Sequence, residues 1–186
     1  MQTPLIAGAG RFDMLRFGIL AGVILLILRN EPIAVENHVL VSDNIRIVDG
    51  DTIALDDQKI RLLGIDAPEM KQLCDDAEGN PWHCGARARD MLVGMLTVAP
   101  SPVSCRITGQ DRYKRLLGRC FAGAEDAGLD VQRALVRSGL AVAEYTGDYR
   151  IEEGLAQAGK LGLWSGRFDR PKDWRRLQRQ KQSIGN

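Results

Sequence analysis

The sequence predicts an α+β domain, with strands first and helices after. Ile45, Ile47, Ile53, Leu55, Ile60 and Leu62 recur at strand period in the first half. Apolar residues at helical spacing gather towards the C-terminal end, where the last helices follow the strands and pack on one end of them. With 186 residues the chain suits one domain with a sizeable core, and its plentiful aliphatic residues argue against disorder.

Charge bounds the partners. The net charge is +1, but residues 166–186 hold seven Lys/Arg against two Asp/Glu, a net +5, while the remainder holds 18 against 22, a net −4. A nucleic-acid binder that relied on bulk attraction would be basic throughout. This chain is not.

Phe17 to Leu28 is an uninterrupted apolar run of twelve residues, preceded by Arg11 and Arg16 and followed by Arg29. A membrane-spanning helix needs about 20 apolar residues, so the run fits the core of an export signal better. No A-x-A cleavage site follows, which leaves open an uncleaved anchor with the two arginines on the cytoplasmic side. Export is expected: periplasmic, secreted, or membrane-anchored facing outward through residues 17–28.

The strands come next. D-D-Q-K between Leu55 and Ile60 is a turn-forming cluster. With Asp57 and Gln58 at the tip, Leu55 faces Ile60 and Ile53 faces Leu62. Extended, that register sets Asp51 opposite Gly64 and Asp49 opposite Asp66, so three carboxylates emerge on one face, away from the turn. Gly50 and Gly64 leave that end uncrowded, and Pro68 turns the chain so that Glu69 returns towards it. Arg61 falls on the opposite face in this register, and only a bulge or strong twist would bring it round.

Cys74 and Cys84 flank a polar loop, and a bridge between them would staple it beside Glu69. Cys105 and Cys120 lie symmetrically about D-R-Y-K, and in a simple hairpin they face each other across two strands. Closing a loop of about 15 residues is worth roughly 3 kcal/mol in the chain-entropy view. Two disulfides are expected. Zinc is the competing reading for Cys74 and Cys84, with His83 as a further ligand, but the spacing matches no standard finger.

Gly85 to Val98 reads as an amphipathic helix ending at Ala99-Pro100, its apolar stripe made by Met91, Leu92, Met95 and Leu96. Strands follow at Val103–Thr108 and Leu116–Ala122, then helices at Gly128–Leu140, begun near Asp126, and at Ile151–Leu163. The basic tail, with Phe168 and Trp174 between its cations, has two equal readings. It grips phosphates with Trp174 stacked on a base, or it is solvated with its aromatics docked on the domain.

Asp49, Asp51, Asp66 and Glu69 crowd into barely twenty residues with Arg61. Four carboxylates repel, and a fold gathers them only if a cation compensates. With no His or Cys among them they suit a hard ion, Ca²⁺ or Mg²⁺, rather than zinc. Taken singly, D-G-D is an ordinary turn and a strand arginine an ordinary edge residue. A second block, D-R-Y-K-R, adds Asp111, Tyr113, Lys114 and Arg115, and a third runs L-V-R-S-G-L-A from Leu135 to Ala141.

Together these blocks resemble the staphylococcal (micrococcal) nuclease family over roughly Val39 to Ser165. The resemblance implies an OB-fold, a five-stranded β-barrel with three helices, over residues 39–165, between an N-terminal segment 1–38 and the tail 166–186. It implies a calcium-dependent endonuclease that hydrolyses phosphodiesters of DNA, RNA or both and leaves 3′-phosphates. Asp51, Asp66 and the backbone carbonyl of Ala67 would hold Ca²⁺, with Asp49 touching it through water. Glu69 would accept a proton from the attacking water, while Arg61 and Arg115 clamp the phosphate oxygens. Tyr113 would hydrogen-bond a phosphate, and Tyr145 stands roughly where the family carries a base-stacking tyrosine. Two departures stand out. Ala67 replaces the usual Thr, and Lys114 replaces a glycine, so Lys114 either strains the loop or adds a phosphate contact. No protein partner is indicated and a monomer is expected. The alternative is a non-catalytic OB-fold module binding nucleic acid or protein in the cell envelope.

Overall fold

The computed structural model describes residues 38–98, 102–125 and 127–184. The apolar run 17–28, with its signal or anchor expectation, lies outside them, as do Ala99-Pro100 and Asp126.

Strand β1 (His38–Ser42) is followed by β2 (Ile45–Ile47), β3 (Thr52–Leu55) and β4 (Gln58–Leu62), which form an antiparallel meander. The β3–β4 register is Leu55 with Gln58, Ile53 with Ile60 and Thr52 with Arg61. That is a correction of two residues, because the tip is Asp56-Asp57 rather than Asp57-Gln58. A two-residue hairpin turn needs left-handed backbone, and Asp56 supplies it at φ 51°. Asp51 therefore does not face Gly64. Instead the Leu62 N–H donates to the Asp51 carbonyl at 2.8 Å, and the chain leaves the hairpin there. Strand β5 (Ile65–Asp66) pairs elsewhere, with β11 (Val142–Ala143), setting Asp66 beside Val142 and not beside Asp49.

The long strands β8 (Val103–Gln110) and β9 (Leu116–Ala122) pair with an irregularity between Ile107 and Gly109. Strand β9 also runs parallel to β4, giving a sheet ordered β1-β8-β9-β4-β3-β2, with β10 (Leu129–Asp130) on β9 as a seventh strand. The sheet is mixed and curls into a half-barrel, consistent with an OB-fold. Two small pairs stand apart, β5–β11 and β6 (Cys74–Asp75) with β7 (Pro81–Trp82). The expected count of five strands and three helices is corrected accordingly.

Four α-helices occur among the described residues: α1 (Cys84–Val98), α2 (Val131–Arg137), α3 (Arg150–Ala158) and α4 (Pro171–Ile184). Helix α3 stops short of the expected Leu163, because Lys160 and Gly162 take positive φ and reverse the chain into a 3₁₀ turn at Gly162–Ser165. Helix α4 forms from what reads as a tail. Pro171 opens it, Asp173 sits in its first turn and Lys181 in its last, each matching the helix dipole.

Ile53, Ile60, Leu62, Leu92, Ile107 and Leu135 are fully buried between the sheet and the helices. Each such side chain contributes about 1.5–3 kcal/mol relative to exposure. Cys105 lies directly across from Cys120 and the two are bonded. Cys74 and Cys84 form the second disulfide, closing the β6–β7 loop onto the start of α1. Both pairings are as expected, which removes Cys74 and Cys84 as zinc ligands.

Candidate active site

The site lies where the hairpin ends, and close backbone contacts hold its segments there. A Cβ on Gly50 would stand 2.8 Å from the Ala67 Cβ and 2.9 Å from the Ala88 Cβ, so only glycine lets the Asp49–Asp51 turn press onto both. A Cβ on Gly85 would stand 1.9 Å from the Glu69 carbonyl oxygen, so the start of α1 abuts the Glu69 main chain. The fully buried Gln72 adds a third hold, accepting a hydrogen bond from the Glu69 N–H at 3.2 Å.

Asp51 and Asp66 are buried, and one guanidinium joins them. Arg61 donates through Nη1 to Asp51 and through Nη2 to Asp66 Oδ1, the latter at 2.8 Å. The expectation that Arg61 faces away is thus overturned without a bulge. Both aspartates lie beyond the hairpin ladder, Asp66 arriving on β5, so strand alternation does not govern which side they occupy. Burial pushes the Asp51 carboxyl up to about 7; Arg61 pulls against that, and Asp49 and Asp66 add to it. Arg61 is the mirror image: burial alone would lower it, but Asp51 and Asp66 hold it above its usual range. Around Arg61 the three carboxylates of Asp49, Asp51 and Asp66 outnumber the one guanidinium. Asp49 is half-buried and accepts from the Asp51 N–H at 3.1 Å.

A cleft of about 540 Å³ opens over this cluster, lined by Asp49, Asp51, Arg61, Ala67 and Glu69 on one side. Arg112, Tyr113, Arg115 and Tyr145 line it too. Asp111 sets the Arg115 wall. It accepts from the Arg115 Nε at 2.8 Å and from the Arg115 and Tyr113 N–H groups at 3.0 and 2.8 Å. Burial would raise its carboxyl, but these donors hold it below the usual range. Tyr113 and Tyr145 are exposed at 65% and 66%. Lys114 takes φ 63°, so the position does need left-handed backbone, and Lys114 accepts the associated cost. It does not line the cleft.

Sequence reasoning missed Arg175. From α4 it donates to Asp66 at 2.8 and 3.1 Å and to Glu69 Oε1 at 2.9 Å. Burial would lower the Arg175 guanidinium, but its bonds to Asp66 and Glu69 raise it well above the usual range. The available signal was the repeat of Arg175 and Arg179 four residues apart behind a proline, the mark of one helix face.

The donor set fits a hard divalent cation in chemistry and charge. Asp51 and Asp66 share one guanidinium, so their oxygens are neighbours, and oxygen donors with no His or Cys among them suit such an ion. Among the described residues no three His, Cys, Asp or Glu side chains converge on one point. The chain would thus supply two carboxylates and leave other positions to water, backbone or ligand.

Comparison with known proteins agrees with the geometry. The profile of the staphylococcal nuclease homologue family matches residues 59–166. The chain is 36% identical over 121 residues to the "Succinoglycan biosynthesis protein ExoI" of Rhizobium meliloti, covering 63% of this chain and 61% of that one. It is 34% identical over 129 residues to an "Uncharacterized endonuclease" of Escherichia coli, covering 65% and 74% respectively. Against the "Probable staphylococcal-like nuclease CAN1" of Oryza sativa subsp. japonica it is 32% identical over 135 residues, covering 70% of this chain but 36% of that one.

Proposed function

The chain belongs to the staphylococcal nuclease family, and from that premise we propose that it hydrolyses phosphodiester bonds of DNA or RNA in the cleft above Asp51 and Asp66. The observation that carries this reading is Arg61 held between two buried aspartates at the floor of a cleft that also presents Glu69 and Arg115. That combination sets guanidinium donors and a carboxylate base side by side where an anion can be held and attacked.

A phosphodiester resists water because an anion must be attacked by a weak nucleophile. Glu69 is 38% exposed on its side chain, open to a water on the cleft side. As that water's oxygen bonds to phosphorus, Glu69 takes the proton, a role typically worth 10²–10⁴-fold. The phosphorus–5′-oxygen bond breaks, the 5′-oxygen takes a proton from solvent, and a 3′-phosphate remains. Arg61 and Arg115 hold the other phosphate oxygens with paired planar donors as charge builds, and Asp111 keeps Arg115 oriented. Tyr113 hydrogen-bonds a neighbouring phosphate and Tyr145 offers a ring to a base. A calcium ion on Asp51, Asp66 and the Ala67 carbonyl, with Asp49 outside it, would polarise a phosphate oxygen when bound.

The two disulfides support an oxidising compartment, so export belongs to the same proposal. The test is an oligonucleotide cleavage assay on DNA and RNA with calcium or chelator, run beside Glu69→Gln. Calcium-dependent cleavage lost by at least 10²-fold in the variant is expected. Full activity in chelator would remove the metal from the reading. No cleavage of either nucleic acid would leave the non-catalytic module.

A further inference from the structure

Helix α4 does more than reach the carboxylates. Its origin is anchored by several contacts. Gln72 Nε2 donates to the Asp169 carbonyl at 2.7 Å, Asp75 N–H donates to the Arg167 carbonyl at 2.8 Å, and Pro171 is buried. Arg170 pairs with Glu153 at 3.3 Å and with Glu144 at 3.8 Å. A helix launched from that base passes Glu69 on a fixed course.

Arg175 and Arg179 share its cleft-facing side, four residues apart, and both line the cleft. Their situations differ. The charge of Arg175 is taken up by Asp66 and Glu69. Arg179 forms no ion pair and no hydrogen bond among the described residues, although the cleft it borders also carries the carboxylates of Asp49, Asp51 and Glu69. Four helical residues rise about 6 Å, so Arg179 stands one backbone step further out than the cluster where a reacting phosphate would sit. An unpaired guanidinium at that place is a seat for an anion.

Resting on the nuclease reading, we propose that Arg179 binds the phosphate adjacent to the scissile one, with Arg175 marking the boundary between the two positions. The substrate class is then a polynucleotide strand of at least two phosphodiesters rather than an isolated diester. The acidic cluster repels a polyanion, and Arg179 offsets that repulsion where the strand leaves the cleft.

The test uses the full chain as wild-type, Arg179→Gln, Arg179→Lys and, as an exposed cation that does not line the cleft, Arg137→Gln. Cleavage is compared on a dinucleotide, which has one internal phosphodiester, and on a decanucleotide. Arg179→Gln should lower kcat/KM roughly tenfold on the decanucleotide and leave the dinucleotide unchanged, with Arg179→Lys recovering part of the loss. Equal losses on both substrates, or no loss on either, overturn the proposal. Binding of a fluorescent single-stranded decanucleotide to Glu69→Gln is measured in parallel across salt concentration. Adding Arg179→Gln should make the salt slope shallower by about 0.7, while adding Arg137→Gln should not. If wild-type cleaves neither substrate the nuclease reading fails, and the salt slope alone still decides the subsite: an unchanged slope removes it.

Discussion

Arg61 decides the character of the site because its planar fork spans two carboxylates that would otherwise repel each other. Lysine could satisfy one of them but not both, and it could not present a second pair of donors to a phosphate. Arg61→Lys should therefore keep the fold, since the residue is half-buried at a strand end, yet lose about 10²–10³-fold in kcat on an oligonucleotide. An activity within a few-fold of wild-type would show that charge alone suffices there. The identity of Arg61 was legible in the sequence, but its direction was not. Alternation from Thr52 outward places it on the wrong face, and the error arises because Asp66 is carried in by β5 and its pairing with β11 rather than by the hairpin. Gln72 was silent for a related reason. Its bonds run to Glu69 and, 97 positions along the chain, to Asp169, and no local pattern announces such a contact.

Among the elements, α2 and α3 are tied to the barrel through Tyr149, which is 1% exposed. Its hydroxyl lies 3.4 Å from both Asp130 oxygens, and Asp130 caps α2 by accepting from the Arg133 N–H at 2.9 Å. The Arg119 guanidinium sits 5.4 Å from the Tyr149 ring centre. Burial, then Asp130, hold the phenol above its ordinary 10.0. A group whose folded value is raised contributes stability below its unfolded value and loses it as pH climbs. Unfolding free energy should thus fall from about pH 10 upward, and Tyr149→Phe should flatten that fall while costing about 1 kcal/mol at neutral pH. Urea titrations between pH 8 and 11 would show it, and parallel slopes for the two proteins would assign the alkaline loss elsewhere. The central elements were readable because apolar spacing follows burial, and the cysteine pair about D-R-Y-K announced its own hairpin. The turn at Asp56 was missed because an aspartate in left-handed backbone leaves no mark distinct from its neighbour Asp57. Helix α4 was missed because its charge, not its apolar content, dominates the segment.

Over the whole molecule the charge asymmetry resolves into complementarity. Residues 38–165 hold 15 Lys/Arg against 19 Asp/Glu, a net −4, and cations of the +5 segment after Ser165 pair with that acidic body. Arg167 pairs with Asp75, Arg170 with Glu144 and Glu153, Lys172 with Glu144, and Arg175 with Asp66 and Glu69. Exposed pairs of this kind contribute about 0.2–1 kcal/mol each and weaken with salt, because ions screen them over roughly 10 Å at 0.1 M. Arg175 weighs more, since its partner Asp66 is almost fully buried. Deleting residues 170–186 should therefore lower the stability of the chelator-treated protein by a few kcal/mol at low salt, and the deficit should shrink as salt rises. Calcium should restore stability more in the deleted chain than in the intact one, because both Asp66 oxygens are released from Arg175 to meet a cation. Chemical denaturation at two salt concentrations, each with chelator and with calcium, separates these terms. Equal calcium effects in the two proteins would show that Arg175 and the cation do not compete for Asp66, and that the helix serves the cleft only through its outer arginine.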